Sequence, residues 1–369
     1  MSRILAIIKK EFLQLMRDRL TLGITFALPL FQLILFGYAI QTDVKHIPTA
    51  VFDQSISAES RDLLESFSAS GYFDINYAAK GYSDLTKLID SGAAKAGIIF
   101  PADFAQNVRS GKTAQVQVIV DASDNMVANS ALAIANSIGL LKSQNILVQR
   151  AHIQSLPYDI RVRPWYNPDG VTAYYMVPAI LGIIVTMTMV MLTSMGIVRE
   201  RERGTLEQLM VTPMRPYELM IGKIVPYIAL GYVQITVALL VGVLLFNVPI
   251  QGSLLQLYLL TLFFITASLG IGIFISNIAK NQMQATQMSF MVLLPSIMLS
   301  GFMFPREAMP KIIQYIGNLI PLTYYLTIIR GIVLKGIGFQ YLISQVVALL
   351  VFSIILMTLA ILKFKKKVA

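Results

Sequence analysis

The sequence predicts an α-helical membrane protein with six transmembrane helices, an N-terminal interfacial helix, an inserted extracytoplasmic α/β domain and a re-entrant hairpin before the last helix. The chain has 369 residues, of which 56% are hydrophobic and 14% charged, too apolar a composition for one soluble globule. Uncharged runs of bilayer-spanning length recur along it. Residues 43–169 instead hold 11 Lys or Arg and 13 Asp or Glu, which is typical of a water-exposed domain.

The net charge of +10 consequently resides in the membrane part of the chain. We therefore expect membrane lipid, and no nucleic acid, as its charged surroundings. Residues 1–19 are predicted to form an interfacial amphipathic helix. Its apolar face comprises Ile4, Ile8, Phe12, Leu15 and Met16, and the basic residues on its other faces are Lys9, Lys10, Arg17 and Arg19.

The first transmembrane helix is predicted at 20–42, since no charged residue lies between Arg19 and Asp43. The extracytoplasmic domain then occupies 43–169, with β-like runs at 49–52, 96–100 and 116–120 and helical stretches at 57–69, 82–90, 101–109 and 126–154. Within it, Gly111-Lys112-Thr113 resembles the end of a phosphate-binding loop, but Gln106 stands where that motif needs glycine. The sequence therefore predicts no ATPase motif and no cofactor on this chain.

Five further spans are predicted at 171–197, 224–247, 253–276, 283–303 and 341–362, all within the region 170–369. The apolar segment 312–334 is interrupted by Asn318 and Pro321, which predicts two short helices within an outer re-entrant hairpin at 304–340. With six spans, 15 Lys or Arg fall on one side and 4 in the short loops of the other. The positive-inside tendency then places both termini in the cytoplasm.

The loop at 198–223 carries the most distinctive motif. Residues 199–213 read Arg-Glu-Arg-Glu-Arg-Gly-Thr-Leu-Glu-Gln-Leu-Met-Val-Thr-Pro. Five consecutive charges cannot lie in hydrocarbon, so we expect this segment in water. Thr205 and Gln208 have the spacing of a capping box, which predicts a short helix beginning near Leu206 and ending before Pro213.

This motif resembles the signature of the ABC-2 type transport permeases. The resemblance extends to Arg17-Asp18, to the segment 300–310, to 321–325 and to Arg330-Gly331, and it is greatest to bacterial drug-efflux permeases with a large inserted domain. It implies that the loop docks on separate ABC ATPase subunits, which bind ATP and Mg. The implied coupling residues are Arg201, Glu202, Gly204, Thr205, Leu206, Glu207, Gln208 and Leu209.

The resemblance also implies a second permease, identical or a sibling, and raises a periplasmic adaptor protein as a further partner. The expected protein is an exporter of amphiphilic or cationic drugs or lipid-like molecules in the bacterial inner membrane. Two other interpretations stay open: a non-transporting assembly or sensor protein, and an ion-coupled antiporter. The antiporter is disfavoured because no Asp or Glu lies between Asp169 and Glu200 or between Glu218 and Glu307.

Four methionines, one glutamine and two phenylalanines are the candidates for a substrate path or outer gate. The candidates are Met187, Met191, Gln287, Met291, Met298, Phe302 and Phe304. Methionine is adaptable enough to accept varied apolar cargo, but it equally suits helix packing. The two phenylalanines could close the outer mouth or simply anchor the helix end at the interface. Both alternatives remain open for each set.

Overall fold

The computed structural model describes residues 2–39, 44–123, 125–151, 166–168, 171–204 and 216–363. The chain divides into two compact units, one formed by Met1–Ile40 with Pro164–Ala369 and the other by Gln41–Arg163. The first unit opens with two helices, α1 (Ser2–Arg17) and α2 (Arg19–Ala39). One non-helical residue, Asp18, separates them.

The second unit is a four-stranded sheet covered by helices. Its elements are β1 (Ile47–Asp53), α3 (Ala58–Ala69), β2 (Phe73–Ala78), α4 (Tyr82–Asp90), β3 (Ala96–Phe100), α5 (Phe104–Ser110), β4 (Gln117–Val120) and α6 (Asn125–Ala151). The strand order is β2-β1-β3-β4, with β1 parallel to both β2 and β3, and β4 antiparallel to β3. The central strand β3 is buried at all five residues, which explains its unbroken apolar run.

The sequence missed strand β2, because it lies at the sheet edge and exposes most of its side chains. Helix α6 is long and apolar enough to count as a candidate membrane span over Met126–Val148. Val127, Ala131 and Ile138 are nevertheless buried in the core that the sheet unit forms. We therefore assign α6 to this unit, where the sequence predicts a helical stretch.

The first unit continues with seven helices among the described residues. They are α7 (Thr172–Glu202), α8 (Pro216–Phe246), α9 (Leu254–Ile278), α10 (Gln282–Leu299), α11 (Lys311–Gly317), α12 (Pro321–Val333) and α13 (Ile343–Lys363). By length and apolarity α2, α7, α8, α9 and α13 of this unit qualify as membrane spans. The unit is thus a multi-pass helical bundle.

Helix α10 and the pair α11 and α12 correspond to the predicted fifth span and re-entrant hairpin. Helix α10 is not among the six candidate spans, because its 18 residues begin with a glutamine-rich turn, and it ends at Leu299 rather than 303. Helices α11 and α12 are bent by 85° at a short break. Pro321 begins α12, where proline is favoured, so the predicted interruption is confirmed.

Helix α7 is the central element of this unit, because α2, α8, α9, α10 and α12 all pack against it. The approach of α9 is closest at Gly272, where an added Cβ would lie 2.8 Å from the carbonyl oxygen of Val190. Stacked Phe264 and Tyr325, with ring centroids 3.9 Å apart, join α9 to α12. A displacement of α7 would therefore alter its packing against five other helices of the bundle.

Candidate functional site

The predicted coupling helix lies largely outside the described residues. Thr205, Leu206, Glu207, Gln208 and Leu209 all fall in the interval 205–215, so the capping box and the helix stay predictions. The structure describes both flanks of this interval. On the first flank, Gly204 has a left-handed backbone with φ of 70°, a conformation that favours glycine. We call this end of α7, residues 199–204, the loop end.

Four charged side chains form a cluster at the loop end, three of them buried and the fourth, Lys10, with 44% of its side chain exposed. We define the ion cluster as Lys10, Glu11, Glu200 and Lys223. Glu11, Glu200 and Lys223 are 5%, 6% and 4% exposed. Lys223 Nζ lies 2.5 Å from Glu200 Oε2 and 3.2 Å from Glu11 Oε1. Lys10 Nζ donates to the same two carboxylates at 2.8 and 3.0 Å.

The cluster contains two acids and two bases, so its charges balance without solvent. The cluster joins α1 to α7 and α8, and its members Glu11 and Lys223 are 212 residues apart in sequence. Burial opposes the charge on Lys10, but the hydrogen bonds and charges of Glu200 and Glu11 outweigh it and raise the pKa of Lys10. These contacts therefore hold Lys10 in its charged form.

The burial of Glu200 corrects the expectation that the whole charged run lies in water. That expectation assumed that only solvent could satisfy these charges, whereas protein partners from α1 and α8 do so for Glu200. Helix α1 packs against the bundle through Ile7, which lies outside the predicted apolar face. Ile7 is buried and lies so close to Gly222 that an added Cβ there would come within 2.6 Å of it. Phe12 and Met16, predicted on the apolar face, are exposed.

Two of the predicted coupling residues contact the turn between α9 and α10. Arg201 donates from Nη1 to the carbonyl oxygen of Ala279 at 3.0 Å and from Nη2 to that of Ser276 at 2.8 Å. These are carbonyls at the end of α9, which lack helical partners. Glu202 accepts from the backbone N–H of Gln282 at 3.0 Å and from its side-chain amide. The loop end is therefore bonded to a second pair of helices.

Asp18 links the loop end to the start of α2. Its carboxylate accepts from the backbone N–H of Thr21 at 3.1 Å and from the hydroxyl at 2.6 Å, as an N-cap residue does. Arg199 Nη1 lies 3.7 Å away. The hydrogen bonds from Thr21, supported by Arg199, hold the pKa of Asp18 below its usual value. The role of Asp18 that the geometry shows is to begin the first span.

A different polar arrangement lies at the other end of the bundle, which we call the arginine junction: Tyr175, Gly301 and Arg330. Arg330 Nη1 donates to the carbonyl oxygen of Gly301 at 3.1 Å, and its guanidinium carbon lies 3.6 Å from the ring centroid of Tyr175. The Tyr175 hydroxyl donates to the same carbonyl at 3.3 Å. Nε and Nη2 of Arg330 are buried without a hydrogen-bond partner.

The candidate path residues are not gathered into one surface. Met187 and Met191 line a small space between α7 and α10. Met291 and Met298 are exposed, as is Gln287. Phe302 is 4% exposed within the bundle core, whereas Phe304 is 52% exposed. The role of these seven residues as path or gate stays a prediction.

Several polar residues of the spans join helices to each other. Gln234 of α8 donates to the Thr188 hydroxyl of α7 at 2.9 Å and to the Thr25 carbonyl of α2 at 3.1 Å. The hydroxyls of Ser194 and Ser289 lie 3.1 Å apart between α7 and α10. For these side chains, packing accounts for the polarity.

Comparison with known proteins agrees with this architecture. Residues 19–362 match the family model described as ABC-2 family transporter protein. The chain is 30% identical over 99% of its length to the probable multidrug ABC transporter permease YbhS of Escherichia coli (strain K12), covering 97% of that protein. It is 29% identical to YbhR of the same organism, covering 99% of both chains, and that protein is also named a probable multidrug ABC transporter permease.

A more distant relative is longer than this chain. The ABC transporter G family member 20 of Dictyostelium discoideum is 25% identical over 98% of this chain, which covers 50% of that protein. The resemblance that the loop motif carries is thereby confirmed over almost the whole sequence. The chain belongs to the ABC-2 family of transporter proteins.

Proposed function

We propose that this chain is the permease subunit of an ATP-driven exporter. A separate ATPase subunit, carrying ATP and Mg, docks on the predicted helix at residues 206–211. Two permeases, identical or sibling, form the membrane part, with both termini in the cytoplasm. The cargo is an amphiphilic or cationic drug or a lipid-like molecule, taken from the cytoplasm or the inner leaflet.

The observation that carries this proposal is the way the loop end is fastened. Glu200 is held by α1 and α8 through the ion cluster, and Arg201 and Glu202 are bonded to the turn between α9 and α10. These contacts lie immediately before the interval 205–215, and Lys223 lies shortly after it. A force applied to that interval is therefore transmitted to five helices at once.

Two further points support a separate energy source. The sequence carries no complete phosphate-binding loop, since Gln106 replaces the required glycine before Gly111-Lys112-Thr113. The buried acids Glu11 and Glu200 are each neutralised by two lysines, and so are poorly suited to bind a coupling ion. The names of the two Escherichia coli relatives favour drug-like cargo.

The test is efflux by the purified complex in vesicles. The ATPase that co-purifies with the chain is supplied with ATP, and release of a fluorescent amphiphilic cation is followed. Glu207→Gln and Leu209→Pro are expected to lower ATP-driven efflux at least about tenfold, because docking or helix formation is lost. Glu307→Gln, the same substitution at an exposed site in a different loop, serves as the matched control.

Three outcomes would contradict the proposal. Normal efflux by both loop variants would remove the coupling role. Transport by the chain alone, driven by a pH gradient, would establish the antiporter instead. An ATPase that co-purifies and is stimulated by the chain, without movement of any amphiphile, would favour an assembly or sensor protein.

A further inference from the structure

A basic groove lies beside the ion cluster, between α1 and the loop end of α7. It is open to solvent and has a volume of about 630 Å³, within the usual range for small-molecule sites. Four cations line it, namely Lys10, Arg17, Arg199 and Arg203. Asp18 is the one acid among its lining residues, and that carboxylate is already engaged by Thr21 and Arg199.

The cations of the groove differ in how far their charge is satisfied. Lys10 is paired with Glu11 and Glu200. Arg199 approaches Asp18 at 3.7 Å, and its Nε is buried with no hydrogen-bond partner among the residues that the structure describes. Within the part of the chain that the structure describes, Arg17 and Arg203 form no ion pair. The groove therefore holds positive charge that its own residues leave uncompensated.

The position of the groove fits the headgroup level of a bilayer. It lies where α2, a candidate span, begins at Arg19 and where α7, another, ends at Glu202. The neighbouring surface of α1 is apolar and exposed, with Leu13 48% and Phe12 44% accessible. A cationic concavity beside an exposed apolar face suits an anionic head with acyl chains attached.

We infer that this groove is a binding site for a phosphate group, presented by an anionic phospholipid headgroup or as free phosphate. Guanidinium groups match phosphate geometry by paired N–H donors. Arg17 and Arg203 come from segments far apart in sequence, so a bound phosphate would bridge α1 and the loop end. The inference concerns binding and goes beyond the proposed transport function.

The test is native mass spectrometry of the full chain in detergent, with phosphatidylglycerol, phosphatidylcholine or inorganic phosphate added. The double variant Arg17→Gln/Arg203→Gln is compared with Lys9→Gln/Arg19→Gln, which removes the same charge from exposed residues that do not line the groove. We expect the first variant to lose at least about tenfold in affinity for phosphatidylglycerol, because it removes direct hydrogen bonds to the phosphate. The second should lose about threefold or less, because exposed charges outside the groove are screened in solution.

The lipid and phosphate arms separate the two sources. Binding of phosphatidylglycerol without phosphatidylcholine or phosphate identifies the headgroup as the ligand. Binding of inorganic phosphate that is lost in the groove variant identifies free phosphate. Equal losses in both double variants would show only a generally basic helix and would overturn the inference, as would binding of neither anion. None of these readouts depends on transport or on an ATPase.

Discussion

The two ends of helix α7 are both polar, but they satisfy their charges in opposite ways. At the loop end, the ion cluster pairs two acids with two bases by contacts of 2.5 to 3.2 Å. At the arginine junction, Arg330 contacts a carbonyl oxygen and an aromatic ring, and two of its nitrogens have no hydrogen-bond partner among the described residues. The ends are separated by about 25 residues of helix, roughly 37 Å.

This difference separates a fastened end from one that is loosely held. A balanced buried cluster is costly to take apart, because removal of one member leaves another charge without a partner. Separating a cation from an aromatic ring costs much less interaction free energy. In the proposed exporter, the loop end would therefore be the end that receives the force, and the arginine junction would be the end that separates at lower cost.

The largest effect is expected from Lys223→Met. The substitution leaves Glu11 and Glu200 buried with Lys10 as their shared counterion, so the free energy of unfolding should fall by about 3–5 kcal/mol. Denaturant unfolding in detergent micelles measures this change. Wild-type stability in this variant would show that the cluster is hydrated and would remove the basis of the comparison.

Two controls sharpen that result. Lys223→Met combined with Glu200→Gln restores charge balance around the remaining Lys10–Glu11 pair, and should recover part of the loss. Arg109→Gln breaks an exposed pair with Glu59 in the sheet unit. No measurable change is expected there, because solvent screens an exposed pair.

The burial of this cluster could not be predicted from the sequence. Glu200 stands in a run of five charges, and its partner Lys10 is 190 residues away, so only the tertiary fold reveals the pairing. By contrast, the break before α12 was predictable, because proline limits its own backbone and that of the preceding residue. Local rules identified the elements of this chain, but they could not identify long-range charge pairing.

The faces of the helices were the second limit. An apolar side chain on α1 can turn toward protein or toward lipid, and periodicity does not distinguish the two. Ile7 turned to the bundle, while Phe12 and Met16 remain exposed. The same limit applies to α10, where Met291 and Met298 are exposed. Periodicity does not distinguish a face covered by a second permease from one covered by lipid.

The second-largest effect is expected in the middle of α7, between its two ends. Gly272→Ala would place a Cβ 2.8 Å from the backbone oxygen of Val190, so α9 must shift and stability should fall by about 1–3 kcal/mol. The matched control is Gly23→Ala in α2, where an added Cβ would meet nothing within 4 Å. We expect little change there, since alanine also favours the helix. Equal unfolding midpoints for the two variants would show that backbone contact does not set this helix spacing.

A smaller effect is expected from Arg330→Met at the arginine junction. It removes one hydrogen bond to Gly301 and the contact with Tyr175, but it strands no buried carboxylate. The loss should be about 1–2 kcal/mol, clearly less than for Lys223→Met. The same unfolding assay compares the two substitutions directly. A loss as large as that of Lys223→Met would show that Arg330 has a charged partner and that the two ends are held alike.

The smallest effect is expected from the acid titration of Asp18, which caps α2 at the loop end. Hydrogen bonds from Thr21 and the nearby Arg199 lower the pKa of Asp18 in the folded chain. Ionised Asp18 therefore stabilises the fold at pH values above its pKa in the unfolded chain. This stabilisation is lost as the pH falls through the lower pKa of the folded chain. Asp18→Asn keeps a capping oxygen but cannot titrate. The difference in unfolding temperature between wild type and variant should therefore be constant near neutral pH and shrink below about pH 4. A difference that stays constant down to pH 3 would mean that the charge of this carboxylate does not stabilise the loop end.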